Sequence, residues 1–129
     1  MTQIIYPMFA LVLLTFAVGL SLGISRLISA KKGQVDRRYF KLFSGYEAPD
    51  NIVKLSRNFS NLLEAPVLFY ILGTLVIALG INSPVILGSA WCFVALRLAH
   101  SLIHITYNNT IHRFLAFLVS SLLILIMWI

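Results

Sequence analysis

One cysteine, four prolines and four acidic residues are all that 129 positions contain, and each scarcity removes a class of protein. A lone Cys92 excludes a disulfide framework within the chain. Its place in an apolar run reads as a small buried core residue rather than a reactive thiol. Charged side chains make up 11% of the chain, where soluble domains carry ~25%. So little charge cannot cover a water-facing surface. Internal repeats and low-complexity stretches are also absent, which excludes a solenoid or a disordered tail.

What is present is apolar. Hydrophobic residues make up 60% of the chain and mean hydropathy is +0.93; a chain this short has no interior large enough to hide that much apolar surface. A helix needs ~20 apolar residues to cross ~30 Å of hydrocarbon. Four segments qualify, at about 4–28, 50–80, 83–106 and 110–128. The second reaches its spanning part near Asn58 and starts its helical pattern near Asp50, which follows Pro49 and is placed to cap the first turn. Pro84 sits at a first-turn position of the third. The N-terminal run lacks a basic leader region and is too long for a signal-peptide core, so it reads as a retained spanning helix. The predicted fold class is an all-α membrane protein, a four-transmembrane-helix bundle over 1–129 as a single domain.

The connections are unequal. Gly80-Ile81-Asn82-Ser83 and Tyr107-Asn108-Asn109 are tight turns, which make neighbouring helices antiparallel. The link from Ser29 to about Pro49 is long and basic. Eight of the ten Lys and Arg lie between Arg26 and Arg57. A basic block flanking apolar spans meets an anionic membrane face, not nucleic acid. The positive-inside rule then places this loop, and the turn preceding His112 and Arg113, in the cytoplasm, with both termini outside.

Polar groups inside spanning helices cost ~2.5–3.5 kcal/mol each at mid-bilayer, so their placement is informative. Arg57, Asn61 and Glu64 fall within an arc of ~60° on the second helix, at 100° per residue. Arg97, His100, His104, Tyr107 and Asn108 fall within ~100° on the third. Two such stripes suit each other or a neighbouring subunit, and both sit toward the basic-loop end. Arg26, Arg57, Arg97 and Arg113 outnumber Glu64 there. Glu64 is expected to pair with one arginine; the remaining guanidiniums favour an anion with carboxylate or phosphate groups. Structural readings stand beside this one. Arg26 and Arg57 have stems long enough to snorkel to the interface. Glu64 and Arg97 suit an interhelical ion pair. Asn108 and Asn109 suit a plain polar turn. His100 and His104 have the i, i+4 spacing of helical zinc ligands, yet no third ligand accompanies them, so no metal is assigned. Pro66 is expected to kink the second helix beside Glu64.

Arg57-x-x-x-Asn61-x-x-Glu64-x-Pro66 resembles the second-helix signature of the MAPEG family, membrane-associated proteins in eicosanoid and glutathione metabolism. Arg97-x-x-His100-x-x-x-His104, followed by Arg113, resembles the same family's third-helix motif, and length and helix count agree over the whole chain. The resemblance implies a homotrimer that binds glutathione between subunits near the cytoplasmic side. By motif, Arg26, Arg57, Asn61, Glu64, Arg97, His100 and His104 would line the glutathione site, with Arg26 reaching in from a neighbour's first helix. Arg113 would be the catalytic group that stabilises the thiolate. His104 stands where a tyrosine is common, and Phe114 stands where some family enzymes have a serine. The implied activity is a glutathione-dependent membrane transferase or peroxidase acting on a lipophilic electrophile. The alternative is a non-catalytic membrane protein that binds a lipid or a partner on the same fold. A third reading is a transporter component using Glu64 and the histidines as a proton relay. The turn Tyr107-Asn108-Asn109-Thr110 resembles bacterial members, implying a bacterial inner membrane.

Overall fold

The computed structural model describes residues 3–129, and their regular structure is entirely helical. The first helix, α1 (Ile5–Lys31), is 27 residues long, or ~40 Å at 1.5 Å per residue. Nothing in Ser29-Ala30-Lys31 breaks a helix, so it runs past the end of the apolar stretch. Gly33 stops it: at φ +67° its N–H bonds the Ala30 carbonyl, and the Gln34 N–H bonds that of Ser29 at 2.9 Å. This is a Schellman cap, which needs a residue without a Cβ penalty in the left-handed region. Gly80 at φ +65° does the same at the far end of the molecule, through the Ile77 and Val76 carbonyls.

The basic link is ordered. It contains a short helix, α2 (Tyr39–Leu42), which the sequence reading did not include. The Asp36 carboxylate accepts the Arg38 backbone N–H at 2.8 Å and pairs with the Arg38 guanidinium. Val35 and Tyr39 then pack against Leu22 of α1 and against Ile52, folding the link back onto the bundle.

The second span is two helices, α3 (Asp50–Glu64) and α4 (Val67–Ala78). Between them Pro66 has no N–H to offer the preceding turn. Asp50 does not cap α3: Pro49 occupies the N-cap position and no side-chain cap bond forms. Pro fixes its own φ and supplies no side-chain acceptor, so Asp50 is already inside the first turn. In α5 (Pro84–Ile105) the Ser83 hydroxyl accepts the Ile86 N–H. In α6 (Thr110–Trp128) the Asn109 side chain accepts from Ile111 and His112.

Taken as spans, α1, α3–α4, α5 and α6 are each long and apolar enough to cross a membrane. Their core contains Leu11, Leu62, Phe69, Phe93 and Ile124, with the Phe69 and Phe93 rings 4.7 Å apart. Large apolar side chains such as Phe16, Leu20, Val85 and Ile126 face outward, as lipid allows. Cys92 is among the outward residues, not in the core. Phe93 and Val94 take the buried positions beside it, and in a bilayer an apolar run does not say which of its faces is inside.

Candidate functional site

The polar stripe of α5 turns toward α3. Arg97 is completely buried. Its Nη2 donates to the backbone carbonyl of Asn61 at 3.0 Å and to Asn61 Oδ1 at 2.9 Å. The same carbonyl also accepts the Ala65 N–H, using both lone pairs. Arg97 Nε and Nη1 have no hydrogen-bond partner among the described residues. One turn on, Ser101 Oγ donates to Asn58 Oδ1 at 3.0 Å, with Asn58 fully buried. The sequence reading used Asn58 only to mark the start of a span and passed over Ser101. The available signal was that both are polar residues in a helix next to a singled-out arginine or histidine.

Nearer the basic-loop end, Arg113 of α6 joins the histidines of α5. The Arg113 carbonyl accepts from His100 Nδ1 at 3.1 Å, which assigns the ring proton to Nδ1 and leaves Nε2 as the acceptor of a neutral ring. The His100 and His104 rings lie 5.9 Å apart. No group of three metal-ligating side chains gathers among the described residues. The Arg113 guanidinium is held from the turn: its Nη1 donates to Asn108 Oδ1 at 2.6 Å.

Two of the hollows at this end take in the arginines singled out above. The smaller, about 230 Å³, is lined by Asp50, Lys54 and Arg57 from α3, His104 and Asn108 from α5 and its turn, and Arg113 from α6. Three cationic side chains and one carboxylate make it attractive to an anion. The larger, about 630 Å³, lies between α1, α2 and α3 and includes Arg26, Tyr39, Phe43, Ser56 and Arg57. Arg26 donates to Ser56 Oγ at 3.1 Å and lies 4.4 Å above the Phe43 ring. Arg57 belongs to both linings and connects them.

The structure thus brings Arg57, His104 and Arg113 to one hollow and joins Arg26 to them through Arg57. Asn61, Arg97 and His100 form no wall of either hollow. Arg97 and His100 are buried beside them. Glu64 is separate. It is exposed, lines neither hollow, and makes no ion pair among the described residues, where Arg38–Asp36 is the only one. The expected Glu64–arginine pair is therefore not formed within the chain. Helix geometry explains it. The face of α3 toward α5 is centred near Asn58, and Glu64 lies ~120° from Asn58 around the helix. Arg97 instead directs Nη2 to the backbone carbonyl and side chain of Asn61.

No curated protein and no solved structure matches the chain. The model of the MAPEG family matches residues 4–129, a span that includes every residue of both hollows.

Proposed function

From the premise that this chain belongs to the MAPEG family, integral membrane proteins associated with glutathione and eicosanoid metabolism, we propose that it is a glutathione-dependent transferase or peroxidase. Its second substrate is a lipophilic electrophile that arrives through the bilayer. The observation that carries this reading is the convergence of Arg57, His104 and Arg113 on one cationic hollow at the basic-loop end.

Glutathione brings two carboxylates, an ammonium and a thiol. Arg57 and Arg26 suit the carboxylates, which a guanidinium grips bidentately. Arg113, held by Asn108, stabilises the thiolate: a thiol of pKa ~8.5 becomes a strong nucleophile at neutral pH when a guanidinium favours its ionised form. The proton leaves to solvent through the open hollow, and the thiolate sulfur attacks the electrophile. In transfer the leaving group departs with the bonding pair. With a hydroperoxide the O–O bond breaks, an alkoxide leaves and takes a proton, and a second glutathione displaces water from the oxidised sulfur to give the disulfide. His104 borders the hollow, while Asn61, Arg97 and His100 support it from behind and add positive potential.

The family resemblance implies a homotrimer, and what one chain lacks supports a site shared between subunits. A hollow of about 230 Å³ is below the ~300 Å³ usual for a ligand site, and Glu64 faces outward from a spanning helix, a costly position against lipid. Both are resolved if Glu64 meets the glutathione ammonium in a site shared with a neighbouring chain. The basic loop faces the cytoplasm of a bacterial inner membrane in this reading.

The test is glutathione titration of the purified protein in detergent, read by binding heat and by thiolate absorbance. Arg57→Ala should weaken binding by about 2–5 kcal/mol. Arg113→Ala should keep most of the binding and lose the thiolate signal. Unchanged affinity in Arg57→Ala with an unchanged thiolate signal in Arg113→Ala overturns the proposal. Binding without turnover of any electrophile selects the non-catalytic reading, which Phe114 next to Arg113 favours.

A further inference from the structure

A groove of about 650 Å³ lies between the last turns of α1 and α2. Gly23, Leu27, Ala30 and Phe40 give it an apolar floor, Lys31 and Arg37 stand on it as cations, and no carboxylate lines it. Arg26 and Phe43 form the wall it shares with the larger hollow described above. The floor is open: a Cβ built on Gly23 would meet nothing within 4 Å. It continues down α1 along Leu20, Ile24 and Leu27, which are 65%, 56% and 65% exposed. That strip belongs to a helix long and apolar enough to cross a membrane, where outward apolar side chains suit acyl chains.

The charges are left free by design of the local pairing. Asp36, the acid adjacent to Arg37, is bound by Arg38 at 2.8 Å, and the hydrogen bond from the Arg38 side chain holds its carboxyl below the usual range. Lys31 and Arg37 have no ion-pair partner among the described residues. Arg26 is engaged by Ser56 and the Phe43 ring.

We propose that this groove is a binding site for an anionic phospholipid. The phosphate sits between Lys31 and Arg37, and the first acyl carbons lie along Gly23 and Leu27. Charge complementarity selects the ligand. An anionic headgroup with one net negative charge offsets half of the charge of the two cations, while a zwitterionic one brings its own ammonium among them and offsets none of it. The proposed glutathione site uses neither Lys31 nor Arg37, and the two sites meet only at the wall of Arg26 and Phe43.

The test is native mass spectrometry of lipids retained by protein taken from bilayers of equal phosphatidylglycerol and phosphatidylcholine. The expected result is a preference for phosphatidylglycerol of about tenfold. It should fall to parity in the Lys31→Gln/Arg37→Gln double variant and survive in the charge-conserving Lys31→Arg/Arg37→Lys variant. Gly23→Leu, which fills the floor without touching charge, should reduce retention of both lipids. Equal retention by the native protein, as when a neighbouring chain covers the groove, overturns the proposal. So does an undiminished preference in the glutamine variant, or its loss in the charge-conserving one. Glutathione binding should stay unchanged in the glutamine variant, so the lipid site and the glutathione site fail or stand separately.

Discussion

Asn108 shows how much one residue in a four-residue turn contributes. Its φ is +51°, a region that asparagine enters more readily than most side chains. That twist aims its N–H at the Ile103 carbonyl, 2.8 Å away, and its Oδ1 at Arg113 Nη1. The next residue, Asn109, caps α6. The pair Asn108-Asn109 could be read in the sequence as a turn, but the division of labour between them could not, because it depends on where α6 returns. If Arg113 stabilises a glutathione thiolate, Asn108 is a positioning residue. Asn108→Gly keeps the backbone and removes the tether. The pH midpoint of the thiolate absorbance should rise by about one unit, equivalent to ~1.4 kcal/mol, with little change in thermal stability. Asn108→Ala should show the same rise and also lose about 1 kcal/mol of stability to backbone strain. An unmoved midpoint in both variants would leave Asn108 with a structural role alone.

At the level of helices, α1 offers an internal comparison. A Cβ on Gly19 would lie 2.8 Å from the Phe59 ring, whereas one on Gly23, a turn further on, meets nothing. Gly19→Ala should therefore destabilise by about 1–3 kcal/mol, through overpacking of α1 on α3. Gly23→Ala should stabilise by about 0.5–1 kcal/mol, the ordinary gain of replacing a helical glycine. Gly73→Ala should fall between them: its Cβ would meet the Met8 sulfur at 2.5 Å, but a methionine side chain can move aside. Thermal unfolding in detergent, followed by helical circular dichroism, checks the order, and a Gly19→Ala at least as stable as Gly23→Ala contradicts the packing. Helices were the legible scale. Four apolar runs of sufficient length have no other use than crossing a bilayer, and Pro66 marks the α3–α4 break by its missing N–H. The four residues of α2 are too few to leave a periodic trace, and the α1 terminus follows Gly33 rather than the end of the apolar run. Stripe direction was the least legible. Arg57, Asn61 and Glu64 do share an arc, yet the contact with α5 is centred near Asn58, beyond the Asn61 edge of it. Asn61 turns in and Glu64 turns out, and only the packing of α5 decides that.

That division within one stripe becomes a property of the whole molecule if the protein is a trimer. Arg57 and Arg113 line the same hollow of the same chain, so each proposed glutathione site takes both from one protomer. Glu64 lines neither hollow and is free to serve a neighbour's site. Mixing damaged chains separates the two cases, because a site assembled from two chains can be repaired by mixing and a site within one chain cannot. Equal co-expression of Glu64→Gln and Arg113→Ala chains should recover about a quarter of the native thiolate signal. A site is then intact only when its own chain has Arg113 and the contributing neighbour has Glu64, each an even chance in a cyclic assembly. Arg57→Ala mixed with Arg113→Ala should recover none. Recovery in the second mixture would mean that the hollow within one chain is not the unit of function. Silence in the first would place Glu64 in its own chain's site or outside any site, and would remove the main reason its exposed position gives for a shared one.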